Sequence, residues 1–140
     1  MKLIGGIDTA VGEWAGKMMG KPIIEPFAAF GIAHGDRLVG AAIFNDFQGP
    51  NANIELTYIG PGTITRSVIR GLATYAFAQN KVSRVTCKTM RRNAVARKLL
   101  PRLGFKFEGT LKRYWGTASG DDALIYYMDR TAAKRWLAGA

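Results

Sequence analysis

RVTCKTMRRNAVARKLLPRLGFKFEG, residues 84 to 109, is the stretch that decides the fold. Apolar and polar residues alternate from Arg84 to Thr89, which predicts a short β-strand. Asn93 is a residue type that caps helix starts and Gly104 one that ends helices, so the segment between them is predicted to be helical. Its apolar stripe consists of Val95, Ala96, Leu99, Leu100 and Leu103. The stretch therefore predicts a strand, a capped helix and the start of another strand.

A second strand and helix precede this stretch. Residues Asn53 to Ile59 alternate in polarity and stop at Gly60-Pro-Gly62, which predicts a strand that ends abruptly. From Thr63 to Asn80 a continuous apolar stripe predicts a long helix, with Thr63 or Thr65 as its N-cap.

Shorter signals complete the predicted element order. A first helix is expected from Asp8 to Met19 with Asp8 or Thr9 as N-cap, and a hairpin turn at His34-Gly-Asp-Arg37. The remaining predicted segments are strands Phe27–Ala33, Leu38–Phe44, Phe105–Leu111 and Ala123–Asp129, and a short tail from Thr131 to Leu137. This order predicts an α+β fold, with a mixed, mostly antiparallel sheet that carries helices on both faces.

Length and composition indicate one globular domain over residues 1–140. Of the 140 residues, 48% are hydrophobic and 21% are charged, which are globular values. Cys87 is the single cysteine, so no intrachain disulfide can form and a reducing cytoplasm is expected. No stretch has the pattern of a signal peptide or a membrane span.

The formal net charge of +10 favours a polyanionic partner without choosing one. Nucleic acid is possible but not favoured, because no aromatic residue is interleaved in the densest basic cluster to stack on bases. That cluster contains Lys88, Arg91, Arg92, Arg97, Lys98 and Arg102. A solvated basic face is the structural alternative.

Several kinds of site are excluded by residue type and spacing. The glycine-rich segment at Gly60 lacks the Gly-Lys-Ser/Thr of a P-loop and the third glycine of a dinucleotide-binding fingerprint. His34 is the only histidine and lies in a predicted turn, so neither a Ser-His-Asp system nor a histidine-based zinc site is expected. No metal is predicted.

The loop Gly60-Pro-Gly-Thr-Ile-Thr-Arg66 is suited to an anion. Small residues let the backbone approach a ligand, the first amides of a helix lack internal partners, and Arg66 adds a cation. An ordinary loop is the alternative interpretation.

Residues 84–109 closely resemble the Gcn5-related N-acetyltransferase superfamily: a strand, an Asn shortly after it, a helix, then Leu-Gly-Phe and Glu-Gly. The likeness is greatest to the ribosomal-protein alanine N-acetyltransferases and their small phage or prophage relatives. Arg113 and the closing strand Tyr126-Tyr-Met-Asp-Arg130 add to it. The resemblance is strong from about Thr63 to Arg130 and weak before residue 38.

The resemblance implies that acetyl-CoA is the cosubstrate and that an amine attacks the thioester directly. It further implies a pyrophosphate site at the start of the long helix, although Thr63 and Thr65 stand where the family usually has glycines. Asn93 matches the residue that contacts the pantetheine arm. The cofactor-binding residues implied are Ile59, Gly60, Gly62, Thr63, Ile64, Thr65, Arg66 and Asn93, with the backbone at the end of the third predicted strand polarising the carbonyl.

The same resemblance exposes a missing general acid. The positions of the family's usual Tyr and Ser are Leu100 and Ala96 here. Glu55 is the candidate general base, and a solvent-facing strand residue is its structural alternative. Tyr114 and Glu108 are weaker candidates. The acceptor amine is not identified, a monomer or a homodimer is equally compatible, and acyl-CoA binding without turnover or a basic nucleic-acid module are the alternative functions.

Overall fold

A computed structural model describes residues 1–21, 23 and 26–137. These residues form one seven-stranded sheet in the order β1-β2-β3-β4-β5-β7-β6. The strands are β1 (Lys2–Ile4), β2 (Phe27–His34), β3 (Arg37–Asn45), β4 (Asn53–Ile59), β5 (Arg84–Met90), β6 (Lys106–Leu111) and β7 (Ala123–Asp129). The α-helices are α1 (Asp8–Met19), α2 (Arg66–Ala73), α3 (Ala94–Leu103) and α4 (Arg130–Leu137).

Neighbouring strands are antiparallel except β4 and β5, which pair in parallel. The β2–β3 hairpin closes through the two residues Gly35 and Asp36, as the turn signal predicted. Gly35 adopts a φ of 64°, a left-handed conformation that glycine enters without steric cost. A mixed, mostly antiparallel sheet with helices on both faces is therefore confirmed.

The two faces of the sheet are covered differently. On one face α2, α3 and α4 pack over the larger apolar cluster, which includes Val68, Leu72, Leu100 and Trp136. On the other face α1 packs on β2 and β3 around a smaller cluster that contains Val11, Ala15 and Ile43. We call these the three-helix face and the α1 face. Alternation along β4 and β5 puts Ile54 and Val85 on the former, and hence Glu55 and Lys88 on the latter.

Two elements were missed by the sequence prediction. Strand β1 is only three residues long, too short to show a periodic pattern, and it pairs with β2. The segment predicted as a tail from Thr131 is helix α4. The side chain of Asp129 accepts a hydrogen bond of 2.9 Å from the backbone N–H of Ala132, which helps to satisfy the amides at the start of that helix.

The predicted cap of the first helix was wrong, and that of the long helix was confirmed at Thr65 in position only. Ile7, rather than Asp8 or Thr9, is the N-cap of α1, and no side chain caps that helix. The long helix begins at Arg66 rather than Thr63, and Thr65 stands at its N-cap without a side-chain hydrogen bond to a backbone amide of the helix. From Thr74 to Gln79 the helix continues as a π-helix, which the apolar stripe alone does not distinguish from an α-helix.

Among the described residues, no helix has the length and apolar character required to cross a bilayer.

Candidate active site

Strands β4 and β5 separate after three paired residues. Their ladder joins Asn53 to Arg84, Ile54 to Val85 and Glu55 to Thr86. Beyond Glu55, β4 stays paired with β3 as far as Ile59, while β5 stays paired with β7 as far as Met90. The strands therefore diverge into a gap in the middle of the sheet.

A braced loop follows β4 at one side of this gap. The hydroxyl of Tyr58 donates a 2.8 Å hydrogen bond to the carbonyl of Pro61, and burial raises the pKa of Tyr58. A methyl group added at Gly40 would lie 2.7 Å from the carbonyl oxygen of Ile59, so a glycine is required where β3 passes this end of β4. Gly60, Gly62 and Thr63 are exposed, which leaves their backbone accessible to a ligand.

The start of α3 lies directly against this loop. A methyl group added at Gly62 would lie 2.5 Å from Cγ1 of Val95, so the absence of a side chain at Gly62 permits the approach. Asn93 caps α3, since its Oδ1 accepts a 3.1 Å hydrogen bond from the backbone N–H of Ala96. The cap predicted at Asn93 is confirmed. The structure thus brings together the Gly60 loop and Asn93, which are separated by 33 residues in the chain.

The start of α2 differs from the start of α3. The Oγ1 of Thr65 lies 3.4 Å from the hydroxyl of Ser67 and makes no capping bond to the helix. The first intrahelical bond runs from the N–H of Ile69 to the carbonyl of Thr65. The earlier amides of this helix have no intrahelical partner, which is the arrangement that binds phosphate groups in many proteins.

Arg66, the first residue of α2, lies beside α4. Its Cζ is 5.8 Å from the ring centroid of Trp136, and Cζ of Arg135 is 4.3 Å from the same ring. The indole N–H of Trp136 donates a 2.8 Å hydrogen bond to the carbonyl of Leu103 and fixes the ring. Sequence reasoning missed this contact because α4 itself was not predicted. Two guanidinium groups therefore flank one buried indole near the start of α2.

Glu55 lies at the edge of the gap in contact with a lysine that the sequence did not reveal as its partner. The Nζ of Lys88 donates a 2.9 Å hydrogen bond to Oε1 of Glu55, and both side chains are about a quarter exposed, at 25% and 28%. Burial lowers the pKa of Lys88, but the hydrogen bond and charge of Glu55, with Tyr114 adding, outweigh it and raise that pKa overall. Tyr114 is itself exposed, and the Lys88 Nζ lies 5.4 Å from its ring centroid.

Glu108, a weaker candidate base, lies in a separate ion pair. The guanidinium of Arg84 donates two hydrogen bonds to its carboxylate, of 2.7 and 3.0 Å. The hydrogen bond from Arg84 holds the pKa of Glu108 below its ordinary value. Arg84 is at the closed end of the β4–β5 ladder, opposite Asn53. Glu108 therefore belongs to the paired end of the strands rather than to the gap.

The loop between β6 and β7 is anchored by one buried carboxylate. Asp122 accepts a 2.8 Å hydrogen bond from the backbone N–H of Arg113 and further bonds from the guanidinium groups of Arg113 and Arg91. The backbone bond, with these guanidinium groups, keeps the pKa of Asp122 below its ordinary value although burial opposes it. The loop that carries Tyr114 is therefore tied to the end of β5, beside the gap.

Two further observations bear on the chemistry. Cys87 is buried on the three-helix face, and burial, with the charge of Glu55 adding, raises the pKa of its thiol to about 12. A thiol with that pKa is not a nucleophile near neutral pH. Leu100 is buried in the core and Ala96 carries no polar group, so neither position supplies an acid.

Comparison with solved structures establishes the fold. A mutant form of the spermidine N-acetyltransferase SpeG from Vibrio cholerae matches with a TM-score of 0.75 and 13% identity over 98% of each chain. The Vibrio cholerae spermidine N-acetyltransferase in complex with CoA and spermine matches with a TM-score of 0.65 and 17% identity, over 76% of this chain and 68% of that one.

The ribosomal-protein-S5-alanine acetyltransferase from Vibrio fischeri has a TM-score of 0.61 and 21% identity, over 74% of this chain and 61% of that one. Neither models of protein families nor curated protein sequences give a match. At these identities the likeness is one of fold. The chain has the fold of the Gcn5-related N-acetyltransferases, as residues 84–109 predicted.

Proposed function

We propose that this protein is an N-acetyltransferase that transfers the acetyl group of acetyl-CoA to a primary amine. The gap between β4 and β5 carries the proposal, because it joins three features at one place. The accessible Gly60 loop and uncapped start of α2 lie on one side, Asn93 on the other, and Glu55 at the edge. The acceptors named for the structural neighbours, spermidine and a ribosomal-protein alanine, are also amines.

The residues at the gap fit a CoA molecule. The exposed backbone of Gly60, Gly62 and Thr63, with the first amides of α2, would hold its phosphates, and Arg66 would add charge. Asn93 and the end of β4 at Ile59 would hold the pantetheine arm and the carbonyl. Acetyl-CoA supplies the activated acetyl group. Ile64 and Thr65 complete the proposed loop.

Direct attack by the acceptor amine is the proposed reaction. The elevated pKa of Cys87 argues against an acetyl-cysteine intermediate, and the one histidine of the sequence, His34, is an exposed residue at the end of β2. Glu55 is the proposed base, which takes the proton that the amine loses. Since neither Leu100 nor Ala96 donates a proton, water or the acceptor itself would protonate the departing thiolate. A cytoplasmic location fits a chain whose single thiol stays reduced.

Acetyl-CoA binding tests the first half of the proposal. A ligand at 100 times its dissociation constant raises the free energy of unfolding by about 2.7 kcal/mol, which is readily measured as a rise in melting temperature. Isothermal titration calorimetry would give the affinity directly. The absence of both signals at millimolar acetyl-CoA would overturn the proposed function.

Turnover tests the second half. Thiol release from acetyl-CoA in the presence of a panel of polyamines, amino acids and peptides with free N-termini should identify an accepting amine. Binding without thiol release over the whole panel would favour an acyl-CoA-binding protein instead. Salt-dependent binding to duplex DNA or RNA without acetyl-CoA binding would favour the nucleic-acid module, because phosphate contacts weaken steeply as salt rises.

A further inference from the structure

We propose that Lys88 is an acetylation site of the protein itself, and that its amine takes the acetyl group when no acceptor is bound. This inference rests on the proposed function, because acetyl-CoA must first bind in the gap between β4 and β5. It names an amine that the chain already holds at its own active site.

The position of Lys88 carries the inference. Lys88 follows Thr86 by two residues on β5, and Thr86 is the last residue of that strand paired with β4. The two side chains are on the same face of the sheet because strand residues alternate. Its Nζ therefore lies beside the opening of the gap, 2.9 Å from Oε1 of Glu55.

An acceptor amine must compete for that same position. If Glu55 is the base, the nitrogen that gives it a proton must lie within about 3 Å of its carboxylate or reach it through one water. The amine of Lys88 already meets this condition. A cationic acceptor accordingly competes with the ammonium of Lys88 for Glu55. When no acceptor is bound, Lys88 is the amine next to the proposed base.

The step balances without a further reactant. The ammonium of Lys88 gives one proton to Glu55, and the neutral Nζ forms a bond to the acetyl carbonyl carbon while the carbon–sulfur bond breaks. The nitrogen loses a second proton as the amide forms. One of the two protons ends on the thiolate and the other in solvent. The products are Nε-acetyl-Lys88 and CoA.

Exposure distinguishes Lys88 from the other lysines. The chain has nine lysines, all within the described residues, and the other eight are exposed. Non-specific chemical acetylation by a thioester would therefore modify those eight first. Lys88 is also held as an ammonium by Glu55, which raises its pKa and lowers its intrinsic reactivity. Preferential acetylation of Lys88 would consequently require a thioester delivered to it.

The test needs acetyl-CoA alone. The purified protein is incubated with millimolar acetyl-CoA and no acceptor, and the acetylated positions are measured by intact mass and peptide mapping. We expect one acetyl group per chain, located on Lys88, with an apparent first-order rate constant that does not change with protein concentration. Because the proton passes from Lys88 to Glu55 within the ion pair, that rate should rise by much less than tenfold per pH unit near neutral pH.

Three controls separate a directed reaction from a chemical one. A short acetyl thioester without the nucleotide should label the exposed lysines and lose the preference for Lys88. Free CoA should suppress the labelling of Lys88. The Lys88→Arg variant should lose the single acetyl group, whereas Lys106→Arg, at an exposed lysine of β6, should keep it.

The outcomes distinguish this inference from the proposed function. Acetyl-CoA that binds, while Lys88 reacts no faster than Lys106, would overturn the inference and leave the proposed function standing. Acetyl-CoA that does not bind would overturn both. A preference for Lys88 that survives replacement of acetyl-CoA by the short thioester would also overturn the inference, because the reactivity would then belong to the lysine alone.

Discussion

The two faces of the sheet differ in what holds them together. On the three-helix face, apolar side chains from α2, α3 and α4 form one buried cluster, in which the indole N–H of Trp136 is satisfied by Leu103. On the α1 face, β4 and β5 instead carry partly exposed ion pairs such as Glu55–Lys88. Apolar burial contributes most to stability, whereas exposed ion pairs contribute little. The comparison predicts that substitutions on the first face change stability and those on the second change chemistry.

Trp136→Ala is expected to have the largest effect, and on stability. Truncating a buried Trp typically costs about 3–5 kcal/mol, and here it also removes the bond to Leu103 and the contact with Arg66. Chemical denaturation would measure the loss. Lys134→Ala, at an exposed position of the same helix, should change the free energy of unfolding by less than about 0.5 kcal/mol. Equal stabilities of the two variants would contradict the assignment of α4 to the core.

Glu55→Gln should have a large effect on activity and a small effect on stability. Loss of a general base lowers the rate by roughly ten- to a thousandfold, near or below the usual range for such a group. The lost ion pair is partly exposed, so unfolding free energy should change by no more than about 1 kcal/mol. The activity loss should shrink at high pH as free acceptor amine becomes abundant, and acetyl-CoA affinity should stay unchanged.

Glu108→Gln is the matched control for that experiment. It removes a carboxylate of β6 that forms an ion pair with Arg84, at the closed end of the β4–β5 ladder. We expect wild-type turnover from this variant. If Glu55→Gln also turned over at the wild-type rate at every pH, once an acceptor is known, Glu55 would be a structural residue and substrate positioning would account for catalysis.

The sequence predicted α1, α2 and α3 but missed α4, which packs on the same three-helix face as α2 and α3. The apolar stripes of α2 and α3 repeat over several turns, so the buried side of each helix could be identified directly from the sequence. Helix α4 was missed because it is short and contributes only Ala133 and Trp136 as fully buried residues. A local pattern with two apolar positions does not distinguish a helix from a tail.

Part of the geometry of the candidate site could be predicted from the sequence. Asn93 and the Gly60 loop were identified from residue types at element ends, and the structure places them in contact through Gly62 and Val95. The pairing of Glu55 with Lys88 was not predicted. It depends on the parallel register of β4 and β5, which joins residues 33 positions apart and which no local pattern reveals.

Arg66→Glu tests a residue that contacts the three-helix face and is also part of the proposed phosphate site. Arg66 contacts the core indole of Trp136, yet we propose that it also faces the phosphates. Charge-assisted phosphate bonds contribute on the order of 1.5–3 kcal/mol, so acetyl-CoA affinity should fall at least tenfold by calorimetry. Arg37→Glu makes the same charge change in the β2–β3 hairpin and should leave affinity unchanged. Equal affinities for the two variants would place the phosphates elsewhere.

The smallest expected effects compare the helix starts that flank the gap. Asn93→Ala removes the hydrogen bond that caps α3 and should lower the free energy of unfolding by about 1 kcal/mol. Thr65→Ala alters the N-cap position of α2, where no side chain caps a backbone amide of the helix, so the loss should stay below about 0.5 kcal/mol. The two variants test whether α3 is stabilised by its own cap while the amides of α2 remain available for a ligand.

Added acetyl-CoA should increase the difference in stability between Asn93→Ala and Thr65→Ala. If the first amides of α2 bind phosphate through the backbone, Thr65→Ala keeps them, and the ligand-induced rise in melting temperature should match that of the wild-type protein. Asn93→Ala should show a smaller rise, because Asn93 is proposed to contact the pantetheine arm as well as to cap α3. Denaturation with and without acetyl-CoA separates the two roles. If Asn93 is only a helix cap, its loss lowers the melting temperature equally in both conditions. An Asn93→Ala protein with a full ligand-induced shift would restrict Asn93 to capping and leave the cofactor to the Gly60 loop and α2.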